Sequence, residues 1–155
     1  MPLNRAAVVD ELNRLMAEEA EACLRYVQMR FRLRGRDRVA AEAFFNEAIR
    51  ETLDHAEAIG DQIRRLGHVP TLRINVALGG GPIPGKDALA EALDVEQQAL
   101  DAYKEFLPRV AGHDSLETFI RRQIDVETEH IGEILEIVRR KSPLKVVRKA
   151  GDRAT

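Results

Sequence analysis

The sequence is poor in the residues that usually interrupt or cross-link a chain. Its 155 residues include 10 glycines, 6 prolines and one cysteine, Cys23. A single cysteine excludes an internal disulfide and favours a reducing compartment. No apolar run approaches the roughly 18 residues of a membrane span, and the first residues, MPLNR, contain no apolar signal segment. These absences predict a cytoplasmic protein that does not enter a membrane.

The composition that remains is typical of a soluble helical domain. Apolar residues make up 45% of the chain and charged residues 32%, and a chain of this length is long enough for one domain with a real core. The net charge of -2 indicates no particular partner. No nucleic acid is expected, because the basic residues near the end of the chain are more typical of a solvated face than of DNA binding. These basic residues are Lys145, Arg148, Lys149 and Arg153.

Four long segments repeat apolar residues at the spacing of an α-helix. Gly35 ends the first segment, and Asp37 is a good N-cap for the second, which ends at Gly67. Ser142 followed by Pro143 suits the start of a short fifth helix. The predicted helices span residues 5–34, 38–67, 87–111, 115–141 and 143–150.

The connections predict how these helices are arranged. The links between the first and second helices, and between the third and fourth, are short, so each pair should form an antiparallel hairpin. Residues 68–86 form a long link, and its glycines and prolines from 79 to 85 exclude a helix there. At ~3.3 Å per residue this link reaches further than a helix on the order of 40 Å long. It is therefore long enough to cross the bundle and start the third helix parallel to the second.

The two halves of the chain carry the same pattern of ligand-type residues. A Glu is followed seven residues later by a Tyr in both halves, and the separation from Glu to His is 36 residues in one half and 34 in the other. These Glu and His residues lie on the apolar stripes of their helices, where an unpaired carboxylate would cost several kcal/mol. The residues are Glu19, Tyr26 and His55 in the first half, and Glu96, Tyr103, Glu127 and His130 in the second.

These positions predict a metal site at the contact between two similar helix pairs. In helix-bundle di-iron proteins, two helices give one Glu each and the other two give a Glu-x-x-His pair each. Carboxylates with imidazoles suit iron, manganese or zinc, and two ions on a shared carboxylate set suit redox iron best. Taken singly, His55 is more typical of a core histidine whose nitrogens are hydrogen-bonded. Tyr26 and Tyr103 are likewise more typical of core tyrosines with a hydrogen-bond partner. The matched placement on four successive helices favours a metal site over coincidence.

Four signatures lie one on each long helix: Glu19-x6-Tyr26, Asp54-His55-Ala56-Glu57, Glu96, and Glu127-x-x-His130. In these motifs the chain resembles the bacterioferritin and ferritin-like family over nearly its whole length. The resemblance implies an all-α, ferritin-like four-helix bundle with one long crossover between the second and third helices, as a single domain of residues 1–155 with a short C-terminal fifth helix. It also implies a hollow shell of many copies, on the order of 24, with a ferroxidase site inside each bundle. No Cys-x-x-Cys pair is present, which excludes a rubrerythrin-type rubredoxin module.

Residues of the second helix depart from the family pattern. The family has a Glu three residues before His55, where this chain has Thr52. Glu51 is four residues before His55 and lies on nearly the same face of the helix as His55. It either supplies the missing bridging carboxylate, which we favour, or faces the interior of the shell. The haem-ligating Met of the family would fall at Leu53, which cannot ligate iron, so no haem is expected by this route.

The resemblance implies an iron store that is also an enzyme, a ferroxidase that Thr52 weakens. Two ferrous ions per subunit would be oxidised by dioxygen or peroxide, and the ferric product would pass to a mineral core. Two other functions stay open. One is a structural or partly degenerate subunit in a mixed shell with a second ferritin-type subunit, and the other is a ferritin-like di-metal oxygenase, which needs an apolar pocket beside the metals. The residues expected to bind iron and support its oxidation are Glu19, Glu51, His55, Glu96, Glu127 and His130.

Overall fold

Four long helices account for most of the structure, a computed structural model that describes residues 2–140. They confirm the predicted all-α four-helix bundle. The fifth helix predicted at 143–150 lies outside the described residues. Within the described range, no helix is both long enough and apolar enough to cross a membrane. The helices are α1 (Arg5–Arg32), α2 (Arg38–Arg65), α3 (Gly85–Phe106) and α4 (Asp114–Arg140), and a 3-10 turn, Leu107–Val110, follows α3.

The ends of the helices differ from the predicted bounds by at most five residues, and local structure explains the ends of α1 and α2. Helix α1 stops at Arg32 because the next two residues form a short strand, β1 (Leu33–Arg34), which pairs in parallel with β2 (Ile83–Pro84). Helix α2 ends close to the predicted stop, since Gly67 adopts a φ of +86° that favours glycine. The backbone N–H of Gly67 donates to the carbonyl of Arg64 at 2.9 Å and closes the last turn.

The long link crosses the bundle as predicted. Strands β1 and β2 place the start of α3 beside the end of α1 and the start of α2, whereas α2 ends at the opposite end of the bundle. Helix α3 therefore runs parallel to α2. The link also follows α1 in register, through four hydrogen bonds: Thr71 N–H to Asn13 (2.8 Å), Asn75 N–H to Glu21 (2.8 Å), Gln28 to the Gly79 carbonyl (3.1 Å) and Arg32 to the Gly81 carbonyl (2.9 Å).

The core consists of two apolar clusters with a polar layer between them. One cluster lies at the end of the bundle where α1 starts, and the other lies at the end where α1 stops. Each fully buried Leu, Ile or Phe contributes about 1.5–3 kcal/mol, so the two clusters supply the main stabilisation on both sides of the polar layer. The first includes Leu12, Leu15, Ile59, Ile63 and Ile120, and the second includes Phe44, Phe45, Leu89, Ala92 and Ile134.

Replacement of Gly85 by Ala is expected to destabilise the fold. A Cβ atom at Gly85 would lie 2.8 Å from the carbonyl oxygen of Asp37 and 3.0 Å from its carbonyl carbon. Backbone must therefore move where α3 starts against α2, and overpacking of this kind costs about 1–3 kcal/mol. Urea unfolding of Gly85→Ala should show this loss. The matched control is Gly80→Ala, because a Cβ there meets no atom within 4 Å; equal stability of the two variants would contradict the close approach.

Candidate metal centre

The polar layer brings together five of the residues predicted as metal ligands, from all four helices. Glu19 comes from α1, His55 from α2, Glu96 from α3, and Glu127 and His130 from α4. All five are buried, and Glu127 is only 1% exposed. Each lies midway along its helix, between the residues that the helix gives to the two apolar clusters, so the helical period alone carries these side chains inward.

Two groups of three ligand atoms form within this layer, and Glu127 belongs to both. In the first group, the Nδ1 atom of His55 lies 3.4 Å from a Glu127 oxygen and 3.6 Å from a Glu19 oxygen. In the second, the Nδ1 atom of His130 lies 3.1 Å from a Glu96 oxygen and 3.8 Å from the other Glu127 oxygen. The two Glu127 oxygens thus face different groups, which is the arrangement of a carboxylate that bridges two ions.

The unsatisfied atoms of the layer fit a bound cation. The Nδ1 atom of His55 and one oxygen of Glu127 are buried without a hydrogen-bond partner. Ligand bonds of about 2.1 Å place neighbouring ligand atoms roughly 3–3.5 Å apart, which is close to the separations within each group. Because buried polar atoms are normally paired, these orphaned atoms and the mixed oxygen and nitrogen donors fit a bound metal ion.

Two tyrosines fix the outer glutamates across the bundle. The hydroxyl of Tyr26 on α1 donates to Glu96 on α3, and the hydroxyl of Tyr103 on α3 donates to Glu19 on α1, both at 2.5 Å. Burial, reinforced by Glu96 and Glu19 respectively, raises the pKa of each phenol well above its usual value, so both remain protonated donors. The sequence predicted hydrogen-bonded core tyrosines; the structure adds that each one binds the glutamate of the other half.

The pKa values of the centre show how its charges compensate one another in the metal-free chain. Burial acts to lower the pKa of both imidazoles, but Glu127 and Glu19 raise that of His55 to about 10, and Glu127 and Glu96 raise that of His130 to about 11. Burial raises the pKa of Glu127. It also acts to raise that of Glu96, but hydrogen bonding with His130 holds this pKa below its usual value. Protonated imidazoles therefore supply the positive charge that the buried carboxylates require.

Thr52 and Glu51, which precede His55 on α2, contact different groups. Thr52 is buried, but its hydroxyl donates to the carbonyl of Ala48 at 2.6 Å. Glu51 lies 2.5 Å from the Nε2 atom of His130, the ring nitrogen opposite to the one that faces Glu96 and Glu127. Glu51 belongs to neither ligand group. Leu53, at the position of the family's haem ligand, is 49% exposed on the surface.

Sequence reasoning missed Gln123, a further buried polar residue beside the centre. Gln123 is one turn before Glu127 on α4, is 5% exposed, and its side-chain oxygen has no hydrogen-bond partner. Its position on the apolar stripe of α4, between Ile120 and Glu127, was the signal that could have identified it.

A family model described as "Ferritin-like domain" matches residues 9–141. The chain belongs to this ferritin-like family. This confirms the resemblance inferred from the four helix signatures. No curated protein sequence gave a match.

Several solved structures have the same fold. A ferritin-like, diiron-carboxylate protein from Bacillus anthracis superposes with a TM-score of 0.78 at 21% identity, covering 89% of this chain and 99% of the other. The dodecameric thioferritin of Bacteroides fragilis, a bacterioferritin-related protein, gives 0.79 at 22% identity, with 89% and 88% covered. The bacterioferritin of Desulfovibrio desulfuricans, whose structure contains a diiron site, gives 0.73 at 22% identity, with 87% and 80% covered.

Metal binding at this centre is expected to release protons. Both imidazoles have pKa values of about 10 and 11, so they are protonated at neutral pH, whereas a metal ligand must be neutral. Affinity should therefore rise with pH up to these values. Anaerobic calorimetric titration with Co(II), in buffers of different ionisation enthalpy, should show about one proton or more released per bound ion, because Glu127, with its pKa raised to about 7, must also be deprotonated. The control His68→Gln removes an exposed histidine and should leave proton release unchanged; binding that is independent of pH would contradict the assignment.

Proposed function

We propose that this ferritin-like chain binds two ferrous ions inside each bundle, oxidises them, and stores the ferric product. The observation that supports this most directly is the pair of ligand groups joined by Glu127. Glu19 and His55 complete one group, and Glu96 and His130 complete the other. Two positions that share one carboxylate hold two ions close together, as a two-electron oxidation requires.

The chemistry of the donors suits ferrous iron as the substrate. The three carboxylates partly neutralise the charge of the two ions, and the imidazoles favour a first-row transition metal over magnesium or calcium. Two ferrous ions lose one electron each. These two electrons, with two protons, convert dioxygen to hydrogen peroxide, or convert hydrogen peroxide to two molecules of water. Solvent supplies the two protons.

A groove between α1 and α3 lies beside the centre. Its volume is about 740 Å³, and Glu19, Tyr26 and Tyr103 are among its lining residues. Six further carboxylates and three guanidinium groups line it, so its net negative charge suits a cation. Apolar side chains, among them Met29 and Leu78, line it as well. The charged lining suits iron as the substrate, whereas the oxygenase alternative would use the apolar part of the same groove. The charged lining residues are Glu18, Glu21, Glu91, Asp94, Asp101, Glu105, Arg14, Arg25 and Arg32.

Assembly into a hollow shell is part of the proposal. Phe31 and Val39 are 74% and 72% exposed, and Leu53 is 49% exposed, which is apolar surface that contact with further copies would bury. The Bacteroides fragilis relative is a dodecamer, whereas the bacterioferritin resemblance implies on the order of 24 copies. The mass of the purified assembly distinguishes a dodecamer from a larger shell. A second ferritin-type subunit in the shell would be visible in the same preparation.

Replacement of Glu127 and His130 together by Ala should abolish iron oxidation. The change removes the shared carboxylate and one imidazole, so neither ligand group stays complete. Anaerobic loading followed by stopped-flow mixing with oxygenated buffer should show oxidation at the rate of free ferrous iron, and metal analysis should show less bound iron. Glu129→Ala is the control, since Glu129 is exposed on the same helix. Oxidation by the double variant at the parent rate would refute the assignment of the site.

Thr52 supports one alternative, a structural subunit of a mixed shell. Its hydroxyl is held by the backbone carbonyl of Ala48, so α2 contributes only His55 to the two ligand groups. A parent chain that assembles but binds no iron and shows no oxidation of its own would favour this alternative over the ferroxidase.

We expect no haem at the family's usual position. Leu53 has no atom that ligates iron, and it lies exposed on α2. Protein made in haem-replete cells should therefore lack a Soret band, while Leu53→Met should raise haem uptake if two α2 helices meet at this surface. Ile74→Met, which adds a methionine at another partly exposed position in the long link, is the control. A stoichiometric Soret band in the parent would contradict this expectation.

A further inference from the structure

Glu51 contacts the side of His130 that faces away from the ligand groups. The Nδ1 atom of His130 lies 3.1 Å from Glu96, whereas its Nε2 atom lies 2.5 Å from Glu51. The two nitrogens of an imidazole ring point in different directions. Nδ1 of His130 therefore faces Glu96 and Glu127, while Nε2 faces Glu51. Glu51 is also 35% exposed, whereas the ligand carboxylates are almost fully buried.

We infer that Glu51 is a positioning residue for His130 and makes the two metal positions unequal, so that the position of Glu96, Glu127 and His130 fills first. This inference rests on the proposed two-metal function. A carboxylate on the outer nitrogen of a ligating imidazole fixes the ring and its tautomer, and it raises the basicity of the ligating nitrogen. With Nε2–H directed at Glu51, Nδ1 is left free of a proton to bind the ion.

The other imidazole lacks such support. Among the described residues, no carboxylate except Glu19 and Glu127 lies within ion-pair distance of either nitrogen of His55. The Nδ1 atom that faces these two carboxylates has no hydrogen-bond partner. The two groups therefore have equal numbers of ligands, but the imidazole ring of His55 is less constrained than that of His130.

Thr52 leaves the two positions with a single shared carboxylate. A Glu at this position would be expected to bridge both ions, but the Thr52 hydroxyl donates to the carbonyl of Ala48. Glu127 is left as the single carboxylate common to both groups. Both positions therefore lack this second bridge, and the difference between them is the contact of Glu51 with His130.

Anaerobic titration with Co(II) alone tests this inference without using activity. The parent should bind two ions per chain, the first at least about 10-fold more tightly, as followed by visible absorption. Glu51→Ala should weaken the first ion by roughly 10-fold or more, the usual effect of removing an outer partner of a ligating histidine. It should leave the weaker ion unchanged. Glu51→Gln should stay within about 3-fold of the parent, because its amide oxygen still accepts the Nε2–H.

Proton NMR of the cobalt-loaded protein gives a second measurement. The Nε2–H of His130, which is directed at Glu51, should contribute an exchangeable, paramagnetically shifted signal. In Glu51→Ala this signal should disappear through faster exchange, and in Glu51→Gln it should persist. The matched control is Glu47→Ala, which removes an exposed carboxylate one turn earlier on the same helix and should change neither affinity nor signal.

The outcomes separate this inference from the proposed function. If Glu51→Gln and Glu51→Ala both lose a whole equivalent of bound cobalt, Glu51 is itself a ligand and its positioning role is refuted. If Glu51→Ala binds both ions as the parent does, the residue has no role in metal binding and the inference fails while the proposed function stands. A parent that binds no cobalt contradicts the proposed function and the inference with it.

Discussion

The shared carboxylate of Glu127 is the constraint on which the rest of the centre depends. It is almost completely buried between Glu19 and Glu96, and one of its oxygens has no hydrogen-bond partner. Burial of several carboxylates is stable only with positive charge close by. In the metal-free chain the protonated His55 and His130 provide that charge, and on the proposed function two cations replace their protons. The polar layer still costs free energy, which the apolar clusters on both sides must offset.

The tyrosines explain why the outer glutamates are oriented for metal binding. Tyr26 occupies one oxygen of Glu96, and the other oxygen of Glu96 lies 3.1 Å from His130. Tyr103 likewise occupies one oxygen of Glu19 and leaves the second directed at its histidine. Each glutamate therefore presents a single oxygen to its group. Because each hydrogen bond joins α1 to α3, the same contact that orients a ligand also connects the two helix hairpins.

The fold and most of the centre could be predicted because they depend on local periodicity. Glu19 and Glu96 fall on apolar stripes that a helix of 3.6 residues per turn must turn inward. The direction of Glu51 could not be predicted in this way. Glu51 and Thr52 are about 100° apart on α2, on either side of the line through His55, and packing decides which one is buried. The contacts of the link with α1 were also inaccessible, because they join residues such as Asn75 and Glu21 that are 54 apart in sequence.

The two halves of the bundle are alike in their glutamates and tyrosines but differ in the bridge. Glu127 lies three residues before His130, and Thr52 occupies the equivalent place before His55. On the proposed function, a centre with three carboxylates therefore neutralises less of the charge of two ferric ions than a centre with four would. In a buried layer that uncompensated charge is costly, and it grows by one unit for each ion that is oxidised. The missing bridging carboxylate thus lowers the affinity for ferric iron, the product, more than the affinity for ferrous iron, the substrate. This difference suits a site that passes iron on to a store.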